Sequence, residues 1–354
     1  MRIIISGAGE VGTHLAKLLS RENMEISLMD EQQERLGALD ANYDLLTKVG
    51  SPTSLHDLKD IGVEHADLYI AVTPDESKNI TSCLIANSLG AHKTLARIDN
   101  YEFLLPENKS FFEKMGLNHL IYPEVLAAKE ICDSLHTNWM RYNLLLSGGN
   151  LEVSAVKVRE GAEMLYKRFA SGFFNHGKYR VVAIKRGNDT IIPRGNDQIE
   201  DGDLVFIVFK RENRHYILEH ANKNKHAIRN VIVYGGSRIA VKTIMEMPAD
   251  IHVKLIEPDI DRCNELAQKL TNALIICGNG NDMEFLKEEG IEDADAFVAL
   301  TENTETNIFA CLAAKRFGVR KTIAEVENLD YIPMAEGLDI GTVLNKKTIT
   351  ASYI

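Results

Sequence analysis

The sequence of 354 residues has little that would place it in a membrane, on a nucleic acid or outside a cell. No run of 18 consecutive apolar residues occurs, so nothing predicts a membrane-spanning helix. The N-terminus, MRIIISGAG, has no basic flank followed by the apolar core of a signal peptide. Acidic residues outnumber basic ones, 51 to 40, and the net charge of −11 argues against binding to phosphate backbones or anionic lipids.

Cysteine, metal and nucleophile motifs are also sparse. The five cysteines have no C-x-x-C spacing, and we interpret them as buried free thiols in a reducing cytosol. They are Cys83, Cys132, Cys263, Cys277 and Cys311. Neither a Walker A sequence nor a nucleophile elbow occurs, and His215, His220 and His226 lack metal-ligand spacing. We expect no dense polar cluster around His176 or His215 that would supply an acid and a base beside a nicotinamide.

One long segment of the sequence occurs twice. Residues 2–12, RIIISGAGEVG, recur at 230–240 as NVIVYGGSRIA, and residues 44–100 align without a gap to residues 272–328. Roughly 20 of the 57 aligned positions are identical, which indicates an internal duplication.

The first copy alternates between strand and helix patterns. Helix-period patterns, including those at 55–58 and 79–89, separate short β-branched runs. These runs predict strands over 2–6, 25–30, 44–49, 67–72 and 94–98. Such alternation is typical of a parallel sheet with right-handed crossovers. We therefore predict two tandem Rossmann-like α/β domains, over residues 1–135 and 228–354.

Residues 136–222, between the two copies, have a different pattern. Alternating apolar strands over 151–158, 180–184 and 204–209 predict a small, mainly antiparallel α+β module with little helix. Turns at 186–189 and 201–203 join these strands. We interpret the charged segment 210–230 as a connector, and its residues 223–225 as a solvated linker.

A dinucleotide motif opens the first copy. Gly7, Gly9 and Gly12 form G-x-G-x-x-G between a strand and a helix, and Asp30 ends the next strand. Gly7 permits the tight turn, Gly9 lets a pyrophosphate approach the backbone, and Gly12 lets helix and strand pack closely. Asp30 would accept a hydrogen bond from a ribose hydroxyl, and the helix N-terminus would attract the phosphates. We predict that this first site binds NAD or NADH.

The second copy departs from this motif. It reads GGSRIA at 235–240, its strand-two acid is Glu257, and Ser237 in place of Gly9 would crowd a pyrophosphate. The charge at the next position reverses, from Glu10 to Arg238. An arginine can grip a triphosphate that a carboxylate repels. We hypothesise that this second site, if occupied, prefers ATP or ADP. The alternatives are an empty site and an Arg238 that is only a surface residue of the helix.

Further paired polar positions lie at the carboxyl ends of predicted strands. Doubly wound sheets bind ligands at this edge, although such residues also cap helices. Arg97 is predicted to reach phosphate in the first copy, with a surface ion pair as the alternative; Glu325 replaces it in the second. The cofactor-binding candidates are Gly7, Ala8, Gly9, Glu10, Val11, Gly12, Asp30, Gly50, Ser51, Thr73, Pro74, Asp75, Asn79, Arg97, Gly235, Gly236, Ser237, Arg238, Ile239, Glu257, Gly278, Asn279, Thr301 and Glu302.

Several stretches together resemble the TrkA family, the cytosolic nucleotide-binding subunits of Trk potassium uptake systems. They are GAGEVG at 7–12, GSPT at 50–53, IAVTPDESKN at 70–79, LARIDN at 95–100 and VVAIKRGNDTIIPRGNDQIEDGDLVFIV at 181–208. The resemblance covers essentially the whole chain. It implies two RCK (also called KTN) domains with a TrkA-C module between them.

This resemblance implies a regulator rather than an enzyme. Such subunits form a ring of RCK domains beneath a potassium-translocating membrane subunit of the TrkH or TrkG type, and nucleotides change the ring shape and hence ion flux. It further implies a bacterial cytoplasmic protein, peripheral to the inner face of the plasma membrane, without nucleic-acid binding or direct membrane insertion. The alternatives are an NAD-dependent oxidoreductase with tandem Rossmann domains and a regulatory subunit of another cation efflux or antiport system.

The resemblance also implies a second TrkA-C module after the second copy, and this sequence does not contain one. We expect self-association through the RCK domains as a homotetramer, with a dimer as the alternative if that module is lost. Helix 79–89 and the apolar residues of 102–120 are predicted to pack on a neighbouring RCK domain, with ordinary core as the alternative.

Overall fold

The computed structural model describes residues 1–22, 24–40, 43–146, 150–187, 189–223 and 227–354. It divides into two compact units, Met1–Ala127 with Asn345–Ile354 and Ala128–Leu344. Among the helices of the described ranges, none is long and apolar enough to cross a membrane. Residue 188 of a predicted turn and residues 224 and 225 of the predicted linker lie outside the described residues.

The first copy forms a six-stranded parallel sheet. Its strands are β1 Arg2–Ser6, β2 Glu25–Asp30, β3 Leu46–Val49, β4 Leu68–Ala71, β5 Thr94–Arg97 and β6 His119–Ile121. The helices along this stretch are α1 Glu10–Leu19, α2 Gln33–Asp40, α3 Leu55–Asp60, α4 Glu76–Leu89, α5 Pro106–Lys114 and α6 Pro123–His136. The strand order β3-β2-β1-β4-β5-β6 confirms the predicted doubly wound arrangement.

The central strand β1 is apolar on both faces because helices cover both. Ile3, Ile4 and Ile5 are all buried, and they belong to core clusters on opposite sides of the sheet. In the order of the sheet, β1 pairs with β2 on one side and β4 on the other. Strands β2 and β3 therefore extend the sheet on one side of β1 and β4 to β6 extend it on the other, which places Gly7 and Asp30 at the topological switch point.

In its described residues, the middle module has a five-stranded antiparallel sheet followed by a short α-helix. Its strands are β7 Tyr142–Leu146, β8 Leu151–Lys157, β9 Tyr179–Arg186, β10 Asp189–Ile191 and β11 Leu204–Lys210. They are ordered β10-β9-β11-β8-β7, which confirms the predicted module. The prediction missed helix α7, Arg214–His220, inside the presumed connector. Buried Ile217 anchors this helix in the module's core, so tertiary packing stabilises a short segment with a weak sequence signal.

The second copy repeats the architecture of the first. Its strands are β12 Asn230–Tyr234, β13 His252–Glu257, β14 Ala273–Cys277, β15 Ala296–Ala299, β16 Lys321–Glu325 and β17 Thr342–Leu344, ordered β14-β13-β12-β15-β16-β17. Its helices are α8 Arg238–Glu246, α9 Ile260–Lys269, α10 Met283–Glu288, α11 Thr304–Arg316, α12 Ile332–Gly337 and α13 Lys346–Tyr353. Helix α13 belongs to the first unit, where it packs against α1.

Three expectations from the sequence need correction. In the segment 102–120, which contains α5 and β6, Phe112 lies in the domain's own core, which was the alternative, whereas Phe111 and Met115 are exposed. The cysteines are not all free buried thiols, because Cys263 pairs with Cys277 as a disulfide. Cys277 is also exposed, Cys132 is half-buried, and Cys83 and Cys311 are buried free thiols.

The third correction concerns the middle module, where the structure does gather polar groups around His176. Its ring lies 4.5 Å from that of Tyr179 and 5.6 Å from that of His220. The Tyr179 hydroxyl is hydrogen-bonded to Nδ1 of His220 at 2.7 Å. The prediction failed because His220 lies 41 residues after Tyr179 and meets it only when α7 folds onto β9.

Candidate nucleotide-binding sites

The glycine loop of the first copy has two glycines fixed by packing and one that faces open space. Gly7 has φ of +106°, and a Cβ there would lie 2.9 Å from the Thr73 nitrogen. A Cβ at Gly12 would lie 1.9 Å from the Gly7 carbonyl oxygen. A Cβ at Gly9 would meet nothing within 4 Å. The space in front of Gly9 is therefore open to a ligand that approaches the backbone, as the motif predicts.

Asp30 organises the loop from the end of β2. Its Oδ2 accepts a hydrogen bond from the Ala8 N–H at 2.7 Å, and its Oδ1 accepts one from the Gln32 N–H at 2.9 Å. The Gly50 N–H donates to the Asp30 carbonyl at 3.0 Å, which brings the β3 turn to the same place. Each carboxylate oxygen keeps a further lone pair, so Asp30 can still accept a ribose hydroxyl.

A cavity of about 210 Å³ opens at this edge of the sheet. Its walls include five predicted residues, which are Gly7, Asp30, Thr73, Pro74 and Asp75. They also include Glu31, Arg35 and Lys78, which the sequence prediction missed. Only their positions in the sequence could have identified them: Glu31 and Arg35 follow the acid that ends strand two, and Lys78 lies in the first turn of α4.

An ion pair spans the cavity edge. The Lys78 ammonium lies 2.9 Å from the Glu31 carboxylate, which also accepts a hydrogen bond from the Ser51 hydroxyl at 2.8 Å. These two hydrogen bonds, that from Lys78 first, lower the pKa of Glu31. The predicted residue Ser51 thus reaches the site through Glu31.

Asn79 ties the cavity floor together rather than facing a ligand. It is 1% exposed, and its Oδ1 accepts hydrogen bonds from the Thr73 N–H and hydroxyl at 2.9 and 2.7 Å. Its amide nitrogen donates to the carbonyls of Thr73 and Arg97. Asp75, not Thr73 or Asn79, caps α4 by accepting from the Lys78 N–H.

Two charged candidates have partners of their own. The Glu10 carboxylate is 69% exposed and lies 3.0 Å from the ammonium of Lys347, on α13 of the same unit. The N-terminal end of α1 therefore carries a compensated charge rather than the lone carboxylate that the sequence suggested. The Arg97 guanidinium lies 3.6 Å from Asp99 and does not line the cavity, which favours the ion-pair alternative.

The predicted site residue Val11 is buried in the core.

The second copy rebuilds the same backbone framework. Oε2 of Glu257 accepts a hydrogen bond from the Gly236 N–H at 2.7 Å, as Asp30 does from Ala8. The Gly278 N–H donates to the Glu257 carbonyl at 3.0 Å, and Asn307 holds Thr301 through the same bonds as Asn79 holds Thr73. Gly235 has φ of +97°, matching Gly7. Ile239 is buried and Glu302 is exposed.

The side chains of the second site differ from those of the first. The Ser237 hydroxyl accepts a hydrogen bond from the Ala240 N–H at 3.3 Å, so it caps α8 where Gly9 leaves space. Arg262 donates two bonds to the Gly236 carbonyl, at 2.8 and 3.1 Å. Tyr234 replaces Ser6, and its hydroxyl lies 3.3 Å from the side-chain oxygen of Asn279. Arg238 is exposed at the start of α8. The sequence prediction missed Tyr234 and Arg262.

In the described part of the chain, no group of three or more His, Cys, Asp or Glu side chains is arranged to hold an ion. The carboxyl edges of both parallel sheets instead offer backbone amides, carboxylates and ammonium or guanidinium groups. These are the groups that bind a nucleotide's ribose and phosphates.

Solved structures share this fold. The chain superposes on the GsuK channel with a TM-score of 0.69 at 16% identity, covering 99% of this chain and 62% of that one. The crystal structure of the GsuK RCK domain gives 0.68 at 17% identity, covering 99% and 75%. The GsuK channel bound to NAD gives 0.67 at 16%, covering 99% and 62%.

Known sequences identify the family. The TrkA-N domain model matches residues 3–123 and 231–346, and the TrkA-C domain model matches residues 153–221. The chain is 32% identical over 359 residues to the Trk system potassium uptake protein TrkA of Haemophilus influenzae, covering 100% of this chain and 78% of that protein. It is 30% identical over 355 residues to that of Halomonas elongata, covering 99% and 77%. The chain belongs to the TrkA family of Trk system potassium uptake proteins.

Proposed function

We propose that this chain is a nucleotide-sensing regulatory subunit that gates a potassium-translocating membrane protein, with its principal dinucleotide site in the first copy. The observation that carries the proposal is the open cavity at Gly7 and Asp30, in front of a loop whose Gly9 faces free space. The names of the relatives support potassium uptake, and the titles of GsuK structures bound to NAD and to ADP support a nucleotide ligand.

A ligand in the first site would contact several structural elements at once. Its walls come from the ends of β1, β2 and β4 and from the first turn of α4, so one ligand contacts several elements. A bound nucleotide changes the pore only if its affinity differs between two shapes of the assembly. We propose that this assembly is a homotetramer or dimer formed through the RCK domains, at the cytoplasmic face of the membrane protein.

The second site is proposed to bind a different ligand or none. Ser237 uses the Ala240 amide that a pyrophosphate would need, which disfavours the dinucleotide pose of the first site. Arg238 at the start of α8 and the neighbouring Arg262 supply positive charge for ATP or ADP.

Calorimetric titration tests both assignments. We expect saturable NADH or NAD binding to the wild-type chain, at least tenfold weaker in Asp30→Asn and unchanged in the matched second-copy variant Glu257→Gln. ATP or ADP affinity should show the opposite dependence. Equal losses for both ligands in both variants would contradict the assignment of two distinct sites.

The oxidoreductase alternative has a separate readout. Incubation of the chain with NADH and a panel of small carbonyl substrates is expected to give no steady oxidation of NADH. Steady turnover that follows the NADH affinity of the Asp30→Asn variant would replace the regulatory proposal with an enzymatic one.

A further inference from the structure

A strongly cationic cavity lies in the second unit, away from both nucleotide edges. It has a volume of about 470 Å³ and opens at the amino ends of β15, β16 and β17, whereas Glu257 and Thr301 mark the carboxyl edge of the same sheet. The middle module forms the opposite wall. Six cationic side chains line it, namely Arg141, Lys157, Arg159, Lys223, Lys315 and Arg320.

A seventh cation, Lys321, is buried at the inner wall. It is 6% exposed, and its ammonium donates hydrogen bonds to the Thr342 hydroxyl at 3.0 Å and the Met140 carbonyl at 3.5 Å. Neither partner carries charge. Burial, and next the nearby Arg141, lower the pKa of Lys321 to about 7.

The carboxylates nearby do not balance these charges. Asp295 is the one acid among the described lining residues, and it accepts hydrogen bonds from the backbone N–H groups of residues 229 and 230. Asp339, adjacent to the cavity, is shared by three cations: Arg141 and Arg159, each at 2.5 Å, and Lys315 at 3.2 Å. Seven basic side chains thus lie near three carboxylates, Asp295, Asp339 and Glu130, in a protein whose net charge is −11.

The first copy shows that the fold does not require this arrangement. Lys93 occupies the position of Lys321 at the start of the equivalent strand, but it is exposed. Asn87 stands where the second copy has Lys315, and Gly116 stands where it has Asp339. The cationic cavity is therefore specific to the second copy and the module that covers it.

We infer that this cavity binds a phosphate-rich small anion carrying at least the charge of a diphosphate. A volume of 470 Å³ lies within the range of small-molecule sites. Guanidinium forks such as those of Arg141 and Arg159 match phosphate oxygens, and a polyanion would relieve the mutual repulsion of the lining cations. Because the cavity joins the middle module to the second sheet, its ligand would restrain the two against each other.

Calorimetry with inorganic tripolyphosphate tests the inference. The wild-type chain should bind it at a saturable site, and Lys321→Met and Arg320→Gln should each weaken binding at least tenfold. Lys93→Met and Arg316→Gln are the controls: they remove the same charge at exposed positions outside the cavity, and they should leave affinity unchanged. Absence of binding to the wild type, or equal affinities in all five proteins, would overturn the inference.

Proton uptake on anion binding gives a second test. The loss of a positive charge elsewhere on the surface would not change the number of protons taken up. The groups around the Lys321 ammonium are Arg141, Glu130, the Thr342 hydroxyl and the Met140 carbonyl. At pH 8 this lysine is mostly neutral, and a bound anion would raise its pKa. Titrations in two buffers of different ionisation enthalpy should therefore show proton uptake that Lys321→Met reduces. Unchanged uptake in that variant would contradict the site.

Discussion

The two Rossmann-like copies keep the same framework and differ where a ligand would touch them. The strand-two acid accepts a loop amide in both, at 2.7 Å from Asp30 and at 2.7 Å from Glu257. The open position at Gly9 is instead filled by Ser237, and Ser6 is replaced by Tyr234. Bonds that hold the backbone are thus retained while side chains at the proposed ligand positions diverge, which is the pattern expected if the second site binds a different ligand or none.

The largest effect should come from the buried asparagine that both copies share. Asn79→Ala leaves the Thr73 N–H and two carbonyls without their partner, and Asn307→Ala does the same around Thr301. We expect a loss of about 3 kcal/mol of local stability in each copy. Hydrogen–deuterium exchange of β4 and of β15 measures the two losses. A large loss in one copy alone would show that the frameworks are not equivalent.

The buried lysine of the second copy should give the next largest effect. Because burial lowers the pKa of Lys321 from 10.5 to about 7, the charged form destabilises the folded state. Lys321→Met should therefore stabilise the second unit by roughly 1–2 kcal/mol at neutral pH and low anion concentration. Lys93→Met, its exposed counterpart, should change stability by less than about 0.5 kcal/mol.

This stabilisation has a defined pH dependence. Below pH 7, Lys321 is protonated in both folded and unfolded chains, and the folded state bears the full cost. Between pH 7 and 10.5 the unfolded chain binds more protons, so wild-type stability rises with pH and the advantage of Lys321→Met shrinks. Urea unfolding followed through the fluorescence of Trp139, the single tryptophan, measures this. An advantage that grows with pH would contradict the assignment.

Exchanging the charges at the helix N-termini should have a smaller effect and sharpens the comparison of ligands. Glu10→Arg gives the first copy the residue of the second, and Arg238→Glu does the reverse. We expect Glu10→Arg to improve ATP binding relative to NADH by about threefold to tenfold, since each charge acts at the positive end of a helix. The reverse substitution should lower ATP affinity. Calorimetric ratios of ATP to NADH affinity that do not move would show that this position is not ligand-facing.

The smallest effect concerns Lys347, which pairs with the exposed Glu10. Lys347→Met leaves the Glu10 carboxylate uncompensated beside the proposed phosphate position, so NADH affinity should fall by about twofold to fivefold. Combining it with Glu10→Gln should restore wild-type affinity, because the repelling charge is then gone. A double variant as weak as the single one would mean that Lys347 acts through packing of α13 on α1.

The sequence predicted most of the fold because repetition and periodicity are local signals. Strands β1 and β2 were predicted over 2–6 and 25–30, which are the bounds that the structure has. The strands β6 and β17 were missed because each has three residues and a polar start, at His119 and Thr342. Helix α7 was missed because packing of Ile217, rather than local sequence, stabilises it.

The sites were less predictable than the fold, since their charges come from distant parts of the chain. The partner of Glu10 is Lys347, 337 positions away in sequence, and no local pattern points to it. Likewise the cationic cavity gathers Arg141, Arg159 and Lys321 from three separate segments. Motif spacing identifies the loop that would hold a nucleotide, whereas the balance of charge around that loop emerges only after folding.

Potassium uptake tests the central claim most directly. Cells whose own copy of this chain is replaced by wild type, Asp30→Asn or Glu257→Gln would be assayed for rubidium uptake as a potassium tracer, with protein levels matched by immunoblot. We predict that Asp30→Asn makes uptake unresponsive to a change in the cellular NADH to NAD ratio, while Glu257→Gln retains that response. An unchanged response in Asp30→Asn, together with lost NADH binding in the purified variant, would contradict nucleotide gating through the first site.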